Sequence, residues 1–213
     1  MHRHSSAYAA LVLEGGYHEF GVDGRWLCEA GDIVLHPELD LHGDVFTQRG
    51  SRVLNIALPH STVESFCVYR LHDSDLALKA ATRGELLEAL PDLLHAGSVA
   101  APLQERAAVK AAREMLSQSG HLSFTSISEM IGFSREHATR AFSQWYGMSP
   151  GSFRRERRLR RALRRIDDGT RLVDVAAEAG YADQGHMTRS MRAALGVTPG
   201  SRQRKGRHTR SKP

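Results

Sequence analysis

Two short phrases of similar composition offer side chains able to read nucleic-acid bases: "GFSREHATR" at 132–140 and "GYADQGHMTR" at 180–189. An arginine makes paired hydrogen bonds to guanine O6 and N7, a glutamine does the same with adenine N6 and N7, and a glutamate accepts from cytosine N4. The first phrase supplies Arg135, Glu136, His137, Thr139 and Arg140 for such contacts, with Ser143 just beyond it; the second supplies Gln184, His186, Thr188 and Arg189. Asp183, directly before Gln184, is better suited to capping a helix than to touching a base. Between the phrases lies "FRRERRLRRALRRIDDG", where eight arginines fall between Arg154 and Arg165 against a single acid. Arg154, Arg157, Arg158 and Arg161 are its candidate phosphate contacts, which bind without regard to base sequence.

Base reading needs rigid elements behind these side chains. Ser123 or Thr125 can cap a short helix whose residues Ile127, Met130 and Ile131 point inward. Gly132 ends it, and Ser134 can cap a second helix with Ala138, Ala141, Phe142 and Trp145 or Tyr146 on its inner face. Short helix, glycine turn, second helix is the helix-turn-helix pattern. The stretch "RLVDVAAEAGYADQGHMTRSMRAALGVTPGS" repeats it. Gly132 and Phe133 match Gly180 and Tyr181 at an offset of 48, and Arg140, Gly147, Pro150 and Gly151 match Arg189, Gly196, Pro199 and Gly200 at 49. Leu159, Ala162, Leu163 and Ile166, spaced i, i+3, i+4 and i+7, predict a helix joining the two units. Two recognition helices on one rigid linker can enter successive major grooves roughly 10 bp apart.

Residues from about Arg106 to Ser201 are similar to the DNA-binding domain of the AraC-type transcriptional regulators, with "AAEAGYADQGHMTR" and "LGVTPGS" matching that family's signature region. The resemblance implies that Arg140 holds a position that commonly contacts DNA. Met187 and Met191 stand where the family usually has Phe, and the aromatic usually found after the final Thr-Pro is absent at Gly200 to Gln203. Methionine fills the same core space with a more flexible side chain.

The first sixty residues read differently. Tyr8 to Leu13, Tyr17 to Phe20, Arg25 to Glu29, Asp32 to His36, Asp44 to Thr47 and Arg52 to Leu58 are short and rich in β-branched or aromatic residues. Gly15-Gly16, Asp23-Gly24, Ala30-Gly31 and Arg49-Gly50 separate them, a spacing that predicts a barrel or sandwich. "CEAGDIVLHPELDLH", with Gly31, Pro37 and His42, resembles the second motif of the cupin family, and "HRH" at 2–4 resembles the start of the first. In metal-binding cupins this would make His2, His4, a glutamate a few residues on and His42 the ligands. The glutamate position holds Tyr8 or Ala9, and Leu39 replaces a usual glycine, so no metal and no cofactor are expected; the histidines line a small-ligand pocket or face solvent. The barrel also falls short of eight strands, either as a reduced domain or because its start lies upstream. From Asp75 to Ala96 the period changes to that of a helix broken near Gly84 and Pro91, with a leucine face that packs on the barrel or on a second copy of the chain. "GSVAAP" at 97–102 reads as a linker.

Charge is divided unevenly: residues 1–100 hold 7 Lys+Arg against 14 Asp+Glu, and 101–213 hold 22 against 10. A basic half points to a polyanion. The longest apolar run near the N-terminus, Ala7 to Leu13, is far below the ~20 residues of a membrane span and short for a secretory signal, so no membrane partner and a cytoplasmic location are expected. Cys28 and Cys67 alone make a disulfide scaffold unexpected.

The fold expected is α+β: a short cupin-like β-barrel at 1–60 for effector binding or dimerisation, a helical connector and linker at 61–101, an all-α double helix-turn-helix domain at 102–201, and a basic disordered tail at 202–213. The function expected is that of a sequence-specific DNA-binding transcriptional regulator, not an enzyme. Double-stranded DNA is the partner, and RNA polymerase, a small-molecule effector and a second copy of the chain are candidates for others. The alternative is a metal-dependent cupin enzyme with a nucleic-acid-binding tether.

Overall fold

The computed structural model describes residues 1–59, 63–118 and 122–210, with 205–210 described by their backbone alone. The chain divides into two compact units, Met1–Ala107 with Ala141–Met148, and Ala108–Arg140 with Ser149–Pro213.

The first unit is built on a seven-stranded antiparallel sheet: β1 (His2–Arg3), β2 (Tyr8–Gly21), β3 (Gly24–Glu29), β4 (Asp32–His36), β5 (Leu41–Ala57), β6 (Cys67–Arg70) and β7 (Ser98–Val99). The order is β1-β5-β2-β4-β6-β7, with β3 also paired to β2. The expected closed barrel is not formed among the described residues. The outer strands β1 and β7 are two residues long, and the path of pairing does not return from one to the other.

Six expected strands are fewer and longer in the structure. Tyr8 to Leu13 and Tyr17 to Phe20 are one strand, β2, because the glycine pair read as a turn is a bulge. Its register shifts between Val12 and Glu14 and between Gly15 and Tyr17. Gly15 has φ +68°, and a Cβ there would collide with Gly50 O, so only glycine suits the site. Asp44 to Thr47 and Arg52 to Leu58 join in the same way into β5.

Alternation along β2 and β4 sends side chains into two cores. Ala9, Leu11, Ile33 and Leu35 enter one, which α1 (Ser74–Arg83) and α2 (Leu86–Ala96) cover with Ala77, Ala80, Leu86, Leu90 and Leu93. Ala10, Val12 and Val34 enter the other, with Tyr17, Trp26, Cys28 and Val68. The leucine face therefore packs on its own sheet. Gly84, with φ +74°, does separate the two helices, but α2 runs through Pro91 because its leucines are anchored on both sides of it. "GSVAAP" is not a free linker either. Its first residues form β7 on the edge of β6, and Ala100 N donates to Val68 O at 2.8 Å.

The second unit is helical: α3 (Ala107–Gln118), α4 (Phe124–Met130), α5 (Arg135–Tyr146, whose last turns belong to the first unit), α6 (Pro150–Asp167), α7 (Leu172–Glu178), α8 (Gln184–Leu195) and α9 (Pro199–Arg210). The segment expected as a disordered tail is helical through Arg210; residues 211–213 lie outside the described residues. Thr198 and Ser201 cap α9 reciprocally, with Ser201 N donating to Thr198 Oγ1 at 3.2 Å and Thr198 N to Ser201 Oγ at 3.1 Å. Arg202 makes two bonds to Asp167, at 2.8 and 2.9 Å, and Gln203 Nε2 donates to Thr170 O, so the start of α9 is tied to the end of α6. Among the described residues no helix is long and apolar enough to cross a membrane.

Candidate nucleic-acid interface

The duplication seen in the sequence extends to individual hydrogen bonds. At the end of α4, Gly132 N donates to Glu129 O at 3.0 Å and Phe133 N to Ser128 O at 3.0 Å; at the end of α7, Gly180 N donates to Ala177 O at 3.0 Å and Tyr181 N to Ala176 O at 2.8 Å. Both are Schellman closures on a left-handed glycine, φ +77° at Gly132 and +79° at Gly180. The following helices start alike. Ser134 Oγ accepts from His137 N at 3.2 Å, and Asp183 Oδ1 accepts from His186 N at 2.6 Å. Asp183 is thus the N-cap that its residue type suggested. Ser149 caps α6 as Thr198 caps α9, again 49 residues apart in the chain.

The inner faces are largely those expected, with Ile131 and Ala141 half-buried and Met130 turned out. Ile127, Ala138, Phe142 and Tyr146 are buried, whereas Met130 is 62% exposed. At 100° per residue the buried face of α4 centres between Ile127 and Ser128, which turns Met130 outward. Ser128 takes the inner position and satisfies its hydroxyl on Phe124 O at 2.7 Å. In the second copy, Val175, Ala176, Tyr181, Met187 and Met191 pack with Leu159, Ala162, Leu163 and Ile166 of α6. Met187 and Met191 are both fully buried, so each fills core space as expected.

Of the candidate base contacts, Arg135, Glu136, His137, Arg140, Gln184 and Arg189 are exposed, and Thr139, His186 and Thr188 are half-buried. The His137 ring stacks on Phe133 with centroids 4.9 Å apart. The His186 ring meets Tyr181 edge-on at 5.3 Å. Thr188 Oγ1 donates to Gln184 O at 2.9 Å, so this hydroxyl already has a backbone acceptor. Arg189 reaches back along its helix: a Cβ on Gly185 would lie 3.3 Å from Arg189 Nη1.

The arginines of α6 divide by their surroundings. Arg154 is half-buried and donates to Leu122 O at 2.6 Å; burial first, then the neighbouring Arg158, pulls its guanidinium below the usual range. Arg157 lies 5.9 Å over the Phe153 ring and Arg158 5.3 Å over the Tyr181 ring. Arg161 is exposed, with Nη1 at 3.5 Å from Glu178 O. Arg155 and Arg164, outside the set chosen from sequence, are also exposed. Spacing alone does not separate them, because the stripe that buries Leu159 and Ile166 leaves arginines on every other side. Arg165 is committed elsewhere: it makes two bonds to Glu178, at 2.6 and 3.2 Å, which hold that carboxyl below its ordinary value.

Comparison with known proteins matches residues 127–205 to a helix-turn-helix domain family. Residues 127–205 therefore form a helix-turn-helix domain. The uncharacterized HTH-type transcriptional regulator YbfI of Bacillus subtilis (strain 168) is 31% identical over 105 residues, which is 48% of this chain; the chain covers 37% of that relative's length. Among solved structures, the C-terminal domain of AraT, a response regulator from Geobacillus stearothermophilus, is 20% identical over 48% of this chain and 88% of its own, with a TM-score of 0.45. ToxT from Vibrio cholerae O395 is 9% identical over 93% of this chain and 88% of its own, with a TM-score of 0.44.

Outside the helix-turn-helix domain, the sheet unit gathers histidines and carboxylates. His2, His4 and His42, which the cupin resemblance grouped, each offer a nitrogen within 4.8 Å of the other two. His2 and His4 are the exposed members. Behind them lie Glu19, His36 and Asp40, all buried, which sequence reading did not single out. Burial above all, with His36 second, pushes His42 down to about 4, so the ring is neutral near pH 7. Burial and then hydrogen bonding to Asp44 push Glu19 up to about 11.

Proposed function

We propose that the chain is a sequence-specific DNA-binding transcriptional regulator, in which α5 and α8 enter successive major grooves and the sheet unit serves effector binding or dimerisation. The observation that carries this reading is the matched pair of capped helices, each burying its apolar side and exposing Arg140 or Arg189 at an equivalent place. Arg135, Glu136, His137, Thr139, Gln184, His186 and Thr188 then face base edges, and Arg161, with Arg157 and Arg158, faces phosphate. Residues 102–201 form the reading part, and residues 1–101 the regulatory one. Such a protein works beside the chromosome, in the cytoplasm.

The test is to select DNA from a random pool with the purified full chain at physiological salt and to sequence what is retained. Two short motifs about one helical turn apart are expected. Retention with no motif means that charge alone drives binding, and this reading fails.

A further inference from the structure

The strands of the first unit bring buried ligating side chains to one point. Gly21 of β2 faces His42 of β5, so Glu19, two residues back, shares a sheet face with His42 as its diagonal neighbour. His36 ends β4 opposite Tyr8, and the two rings stack at 4.3 Å. The His36 and His42 rings stand 4.3 Å apart. Glu19, His36 and His42 are 1%, 1% and 2% exposed, and one ligand atom from each lies within 4.8 Å of the others.

Glu19 Oε1, His36 Nδ1 and His42 Nδ1 are buried without a hydrogen-bond partner. Native interiors leave few such atoms, so these three side chains carry more bonding capacity than the protein around them satisfies. Two imidazoles and a carboxylate are the donor set of divalent first-row transition metals. His36 Nε2 and Glu19 Oε2 stand 3.9 Å apart, a gap that an ion bonded to each at about 2.0–2.2 Å spans. Asp40 Oδ2 lies 3.8 Å from His36 Nδ1 and 3.8 Å from His42 Nδ1, somewhat beyond hydrogen-bond length and within a small shift of the place from which a carboxylate orients a ligating imidazole. His42 Nε2 meets the Tyr8 hydroxyl at 3.0 Å, so whichever of its nitrogens takes the ion, the other has a neighbour.

We propose that Glu19, His36 and His42 bind a divalent first-row transition-metal ion, with Asp40 positioning the two rings. This set shares only His42 with the trio of His2, His4 and His42, and differs from it in being fully buried and in holding a carboxylate.

The test titrates the full chain with cobalt(II) chloride, followed by its visible absorption, and with zinc chloride, followed by calorimetry and thermal unfolding. Wild type is expected to bind one equivalent of either ion, with d–d bands for cobalt and a raised unfolding midpoint for zinc. Glu19→Gln, which keeps the shape of the side chain, and His36→Gln should each weaken binding by more than tenfold. Asp40→Asn should weaken it about 10- to 100-fold, the range found when a carboxylate behind a ligating histidine is lost. The double variant His2→Gln, His4→Gln should bind as wild type does. Circular dichroism of the metal-free variants checks that they fold; if Glu19→Gln and His36→Gln do not, Asp40→Asn decides. Wild type that takes up neither ion, variants that bind as tightly as wild type, or loss confined to the His2, His4 double variant would each overturn the assignment.

Discussion

Arg140 and Arg189 occupy equivalent exposed positions one turn into α5 and α8, past caps that fix where each helix begins. If each makes two bonds to a guanine, then Arg140→Ala and Arg189→Ala should each cost about 1–3 kcal/mol of specific binding and relax the preference at one base pair. Competition binding against a set of single-base variants of the selected site measures both effects; an equal loss on all sequences would reassign the residue to phosphate. Asp183 has a different task. With its carboxylate accepting from His186 N at 2.6 Å, Asp183→Ala should lower stability by about 1 kcal/mol, read as a fall in the thermal midpoint, and Asp183→Asn should retain most of it. The Asp183 cap and the exposed places of Arg140 and Arg189 were legible in the sequence, because both are local: type and position after a glycine turn suffice. Glu19 and His36 were not. Each takes its meaning from a partner strand far along the chain, and nothing in "HEFG" or "VLHP" reveals that partner.

At the level of elements, α6 shows how one periodicity sorts side chains into two jobs. Phe153, Leu159, Ala162 and Ile166 are buried almost completely, and the arginines between them are left with what lies around the helix. Arg161 is exposed, so Arg161→Ala should reduce the slope of log K against log salt by about 0.9 without altering which bases are preferred. Binding isotherms at several salt concentrations test this, and an unchanged slope would remove Arg161 from the phosphate contacts. The helix itself was plain in the sequence from its i, i+3, i+4 stripe. α3 is not among the helices expected from sequence although Val109, Ala112 and Leu116 are buried at helical spacing, because no Ser, Thr, Asp or Asn stands just before it as Ser134 stands before α5. In the sheet the glycine pairs misled for a physical reason: a left-handed glycine serves a turn and a bulge equally well, and only the facing strand tells which.

For the whole molecule, the uneven charge of the chain predicts that its basic C-terminal end adds affinity without selectivity. Deleting residues 205–213, while keeping Arg202 and Gln203 in their bonds to Asp167 and Thr170, should weaken binding to every sequence by the same factor and lower the salt slope. A change in the preferred site after this deletion would contradict that role. The pairing of β2 bears on how the protein comes into being. Tyr8 lies opposite both His36 and Ala57, so the central strand of the sheet cannot settle until a chain segment from much later has arrived, while each helix pair of the second unit closes between near neighbours. Loop closure over such separations is slow, and local helical contacts form first. Refolding from denaturant, followed in a stopped-flow instrument, should therefore show a fast gain of helical ellipticity ahead of a slower burial of Trp26. On the ribosome the half made first would then be the half finished last.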